Sequence, residues 1–184
     1  MWALLSEHEE ILRYLRLLDD AWKNLLNDFK DEVFSLPWVE GPVRGYLFAE
    51  CLKLMRLDGH FKTPYQIWEE ETYGRLEPDI TLGSLGEKAE KRIVAVEVKY
   101  VGTTDKTTQE KVEKDIRKLD EYLDLTFDSY FVMIDTCRRY REILDLKSLG
   151  IKEGCWEWQS VTTKGMRSFD ALMVWKGQYV EHHL

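Results

Sequence analysis

Cysteine is scarce in this chain. Cys51, Cys137 and Cys155 are far apart, odd in number and free of any C-x-x-C spacing. That excludes a disulfide framework or a zinc ribbon and leaves three small buried hydrophobes. Histidine is equally sparse, and none of His8, His60, His182 and His183 reads as a metal ligand. No apolar run reaches the roughly 18 residues that a membrane span needs. The first residues lack a basic segment followed by an apolar core and a small-residue cleavage site. The expectation is a soluble, intracellular, cytoplasmic protein with no membrane partner. Internal repeats and low-complexity segments are also missing.

Positive charge is in deficit, with a net charge of −8, which argues against a general nucleic-acid coat. The deficit is uneven. Residues 1–40 carry nine acids and four bases, whereas the remaining 144 residues carry 25 acids and 22 bases. A bound cation at three of those acids would bring the body of the chain close to neutrality. What the sequence does hold is apolar mass. Hydrophobic residues make up 44 %, including seven Trp, nine Tyr and seven Phe. At 184 residues this suits one domain of 36–184 with an N-terminal helical arm of 1–35.

Ser6 and Glu9 have capping-box spacing. Ile11, Leu15, Leu18, Trp22, Leu25 and Phe29 then recur at steps of four and three, which predicts a long amphipathic helix. That helix either packs on its own domain or serves as an arm that pairs with a second subunit. After punctuation at Ser35-Leu36-Pro37 and Gly41-Pro42, a second helix is predicted over 43–57. Glu50 sits in its middle, either facing solvent or functional. Strands follow at 65–73, 75–82 and 93–101, the last two forming an antiparallel hairpin. A helix over 107–125, with Val112, Ile116, Leu119 and Leu123 on its apolar side, leads to a strand at 129–136. A helix between two strands implies their parallel pairing. A further helix over 138–149 and late strands at 155–163 and 171–176 complete an α/β fold, a mixed sheet flanked by helices.

The chemistry concentrates at Pro78-Asp79 and at Glu97-Val98-Lys99. In a strand, side chains at i and i+2 share a face, so Glu97 and Lys99 project together while Val98 points into packing. If the two strands are neighbours, Asp79 joins them. Two carboxylates suit Mg²⁺ or Mn²⁺, and the backbone carbonyl of Val98 offers a third oxygen. The Lys99 ammonium, kept charged by the acids, can steady negative charge on a phosphate. The bland alternative is a surface ion cluster on a sheet edge.

This pattern resembles the signature of the restriction-endonuclease-like nucleases, the PD-(D/E)XK superfamily, over the central half of the chain, from Glu50 to Thr136. The resemblance implies a Mg²⁺- or Mn²⁺-dependent nuclease acting on DNA. It implies that Asp79, Glu97 and Lys99 are catalytic. Glu50, Asp79, Glu97 and the Val98 carbonyl would then be the metal ligands. Lys118 and Tyr122 resemble positions where some branches carry Gln and Tyr near the site; Lys in place of Gln is a departure. Double-strand cleavage needs two sites, which implies a homodimer, with the first helix as the candidate joint. The clustered cysteines of iron–sulfur branches are missing.

Lys106, Lys111, Lys114, Arg117 and Lys118 are nearly cancelled by Asp105, Glu110, Glu113 and Asp115, which predicts a solvated helix face. Arg138, Arg139 and Arg141 are less balanced and are the better candidates for phosphate contacts. Trp156 and Trp158 either stack on bases or belong to a half-buried sheet edge. The rival to catalysis is an inactive nuclease-like domain serving as a DNA-binding or assembly module.

Overall fold

The computed structural model describes residues 7–35, 40–61, 65–70, 72, 75–85, 90–102 and 106–178. The expectations placed on Ser6, on Leu36-Pro37 and on the C-terminal histidines lie outside the described residues.

Two helices, α1 (Glu7–Lys30) and α2 (Glu40–Leu57), precede three strands, β1 (Gln66–Glu69), β2 (Ile80–Leu85) and β3 (Glu90–Val101). A third helix, α3 (Gln109–Tyr122), leads to β4 (Asp128–Asp135), β5 (Trp156–Thr162) and β6 (Ser168–Gly177). The strands form one six-stranded mixed sheet in the order β1-β2-β3-β4-β6-β5. Strands β2 and β3 pair antiparallel, and β3 and β4 pair parallel across α3. The central strands β3 and β4 are flanked on both edges. Ile93 to Val96 and the whole of β4 are buried, the pattern of strands covered on both faces.

Alternation along β4 separates the helices. The Ser129 hydroxyl donates to the Leu119 carbonyl of α3 at 2.9 Å, whereas the next side chain, Tyr130, feels the charge of Asp19 on α1. Successive strand side chains point to opposite faces. Helix α3 therefore covers one face and α1 the other, with α2 packed against α1 and reaching β3 and β1.

Ile11, Leu15, Leu18, Trp22, Leu25 and Phe29 of α1 are all buried. The ring of Phe29 meets Phe169 of β6 edge-on at 6.5 Å. Each such side chain contributes roughly 1.5–3 kcal/mol when fully buried. Residues 7–30 thus share one core with the sheet, and the helix lies on its own domain rather than projecting as an arm. Among the described residues no helix is long and apolar enough to cross a membrane.

The structure corrects two expectations. Residues 138–149 form turns, not a helix. The carboxylate of Asp135 accepts the backbone N–H groups of Cys137, Arg139 and Tyr140 at 2.9, 2.6 and 2.9 Å, and Arg138 is left-handed at φ 54°. An acid that captures the first amides in this way offers the chain a competing local arrangement. The strand at 65–73 shrinks to Gln66–Glu69 because Glu70 turns left-handed at φ 51°. Trp156 and Trp158 are partly buried against the core, as the half-buried sheet-edge alternative expects.

Candidate active site

Strand β2 stops pairing with β3 at Ile80, which lies opposite Val96. Residues 97–101 of β3 keep β4 on one edge but have no β2 partner on the other. Buried strand amides left without partners are costly. Beyond the end of β2, two carboxylates accept amides of β3. Asp79, immediately before β2, accepts the Val98 N–H on Oδ2 at 2.7 Å, and Glu40, at the start of α2, accepts the Tyr100 N–H at 3.4 Å. A strand residue's N–H and C=O point to the same edge, so the Val98 carbonyl is directed along the edge that Asp79 occupies.

Glu97 belongs to the same stretch of β3 and is 6 % exposed. Its carboxylate takes an ion pair from Lys118 and a hydrogen bond from the Tyr122 hydroxyl at 2.6 Å. Burial, followed by the nearby charge of Asp79, pushes Glu97 up to about 7, against the opposing pull of Lys118 and Tyr122. Asp79 is also raised, by burial, although the Val98 amide and Arg44 draw it down. Arg44 of α2 reaches Asp79 at 3.2 Å and Glu69 at 2.9 Å. The charge of Asp79 therefore disfavours ionisation of Glu97, and each carboxylate faces a cation from a different helix.

Lys99 does not pair with Glu97. Its ammonium lies 3.2 Å from Glu40 and 3.1 Å from Asp115 of α3. Burial opposes its charge, but Glu40 and Asp115 outweigh that and raise it. Asp115 also holds Lys118 at 2.9 Å through its other oxygen. Lys118 is raised by Glu97 and Asp115 in spite of burial, and Tyr122 is raised first by burial and then by Glu97. Four acids, Glu40, Asp79, Glu97 and Asp115, thus face three bases, Arg44, Lys99 and Lys118.

Asp79, Glu97, Lys99, Lys118 and Tyr122 are brought together. Glu50 is buried but turned toward α1, where it binds Asn24 at 2.9 Å and its own neighbour Lys53 at 3.0 Å. Its contacts do not include Asp79 or Glu97. Arg138, Arg139 and Arg141 stand apart, beyond the end of β4. Arg138 and Arg141 reach toward buried Asp170 at 3.5 and 3.9 Å, and Arg139 lies 5.9 Å from the Tyr140 ring.

Glu40 carries no expectation from the sequence, and Asp115 is expected there only as a solvated charge. Glu40 is four residues before Arg44 at a helix start, a spacing that puts both on one side of α2. Asp115 interrupts the stripe of Val112, Ile116 and Leu119, and an acid in an apolar stripe is a signal in itself. The solvated reading of α3 holds for Arg117, which pairs with Glu113 at 3.8 Å, but not for Asp115 and Lys118.

Among the described residues, no group of three or more His, Cys, Asp or Glu side chains is gathered to hold a metal ion. The oxygens that would hold an ion here are those of the Asp79 and Glu97 carboxylates and the Val98 carbonyl. Hard oxygens of this kind fit Mg²⁺ or Mn²⁺, and Mg²⁺ commonly keeps several waters while binding one or two carboxylates. Comparison of the chain with family models, with curated proteins and with solved structures yields no match.

Proposed function

We propose that this chain is a metal-dependent nuclease of the restriction-endonuclease-like, PD-(D/E)XK class, hydrolysing phosphodiester bonds in DNA. The reading is carried by one observation. Asp79 and Glu97 come together beside β3, where Asp79 accepts the Val98 amide and its charge raises Glu97, and Lys99 follows two residues later on the Glu97 side.

In this reading Asp79, Glu97 and the Val98 carbonyl hold Mg²⁺ or Mn²⁺. When bound, the ion supplies Lewis acidity to the phosphate and lowers the pKa of a water. The chain's own residues do the rest. Tyr122 fixes the orientation of the Glu97 carboxylate by its hydrogen bond. Lys99 stays protonated beside Glu40 and Asp115 and presents N–H donors to the oxygens on which charge develops. Arg138, Arg139 and Arg141, at the end of the strand parallel to β3, would grip phosphates away from the cut.

A second reading has its own support. Asp79 already faces Arg44 and Glu97 already faces Lys118, so the cluster is also a satisfied ion-pair network. That would suit an inactive DNA-binding or assembly module.

A nicking assay on supercoiled plasmid, with Mg²⁺, Mn²⁺ or EDTA, separates the two. The nuclease reading expects cleavage that EDTA abolishes and that Asp79→Asn, Glu97→Gln and Lys99→Met each reduce by roughly a hundredfold or more. Cleavage that survives EDTA or all three substitutions would refute it, and plasmid retardation without nicking would favour the module. Single-stranded DNA and RNA substrates in the same assay define the nucleic acid.

A further inference from the structure

We propose that Asp115 is a positioning residue that assigns the two site lysines to different carboxylates, keeping Lys99 off the Glu97 that binds metal. The proposal deepens the nuclease reading and rests on it.

Lys99 and Glu97 are two residues apart on one strand, on the same side. The nearest-neighbour ion pair would join them, and it would spend the lysine's charge on a ligand oxygen. The structure shows a different pairing. Lys118 takes Glu97, and Lys99 is drawn to Asp115 and Glu40. Asp115 stands between the two lysines with one oxygen for each, Oδ2 at 3.1 Å from Lys99 and Oδ1 at 2.9 Å from Lys118. No other acid in the cluster contacts both lysines.

Burial argues that this is not a stability device. Asp115 is 8 % exposed and lies between Val112, Ile116 and Leu119. An apolar residue there would complete the helix stripe, and a buried ion pair is weak evidence for stability because its desolvation cost can exceed its Coulombic gain. The carboxylate is best explained by what it does to the lysines. Without it, two ammonium groups compete for Glu97, and Lys99 loses one of the two acids that hold it in place.

The test is a double-mutant cycle in the plasmid assay combining Asp115→Asn with Lys99→Met. Asp115→Met, which fills the stripe, is the second variant in case Asn fails to fold. Lysine ammonium resonances of the ¹⁵N-labelled protein are recorded alongside. Loss of one charge-assisted contact on the lysine should lower kcat by roughly tenfold or more with KM for plasmid little changed. In the Lys99→Met background the same substitution should cost nothing further. The ordered Lys99 ammonium signal of the wild type should vanish or move in either Asp115 variant. Additive losses in the cycle, or a Lys99 signal unaltered by both Asp115 variants, would overturn the proposal. If the wild type does not cleave at all, the nuclease reading falls, and the ammonium signal alone decides whether Asp115 positions Lys99.

Discussion

Glu97 makes the stability of this protein depend on pH in an unusual direction for a carboxylate. Its ordinary value is 4.5, and burial beside Asp79 raises it in the folded state to about 7. Between those values the folded chain holds a proton that the unfolded chain has released. The group's contribution is therefore fully present below about pH 4.5 and is lost as pH rises through about 7. At 1.36 kcal/mol per unit, the whole effect is about 3 kcal/mol. Glu97→Gln removes the ionisation while keeping a hydrogen-bonding side chain for Lys118 and Tyr122. Urea unfolding of the wild type and of Glu97→Gln, measured from pH 4.5 to pH 8, isolates the contribution of this carboxyl group. The variant should gain on the wild type by about 3 kcal/mol over that window, with most of the gain complete by pH 7. Saturating Mg²⁺ should restore the wild type at the upper end, because a cation bound to the folded state alone stabilises it. A stability difference that stays flat with pH, or that moves the other way, would show that Glu97 ionises normally and that the coupling to Asp79 is absent.

Two further substitutions probe the frame around the site. Asp135→Ala strips three backbone amides of their shared acceptor and should cost about 2–4 kcal/mol, read by thermal or urea unfolding; hydrogen exchange should rise first at residues 137–140. Gly177→Ala would set a methyl group 2.6 Å from the Phe127 carbonyl and against the Asp128 side chain, in a backbone already at φ 155°. A loss of about 1–3 kcal/mol should follow, visible as a lower urea midpoint with an unchanged slope.

Much of the architecture was legible in the sequence because burial leaves periodic marks. The four-and-three spacing from Ile11 to Phe29, the apolar run from Ile93 to Val96 and the stripe from Val112 to Leu119 are the surfaces that the core covers. The antiparallel β2–β3 pair and the parallel β3–β4 pair follow from connection length alone. The 138–149 segment was not legible, because a single buried acid, Asp135, redirected the chain through amides that no periodicity records. At the site, strand alternation made Asp79, Glu97 and Lys99 readable as a group. The depth at which β2 stops along β3 was not readable, and that depth is what brings Glu40 to the edge. Glu50 and Glu40 are ten residues apart on one helix. Composition cannot tell which of them faces the sheet, and packing against Asn24 of α1 turned Glu50 the other way.

Asp115, Lys118 and Tyr122 are carried by a single rod of fourteen residues, tethered at its start by Thr108, whose side chain accepts the Lys111 amide. Three steering groups on one stiff lever cannot be retuned independently. A slight roll or slide of that lever would shift the grip on Glu97 and Lys99 in the same stroke, so whatever leans on the outer side of α3 has a mechanical handle on the whole constellation.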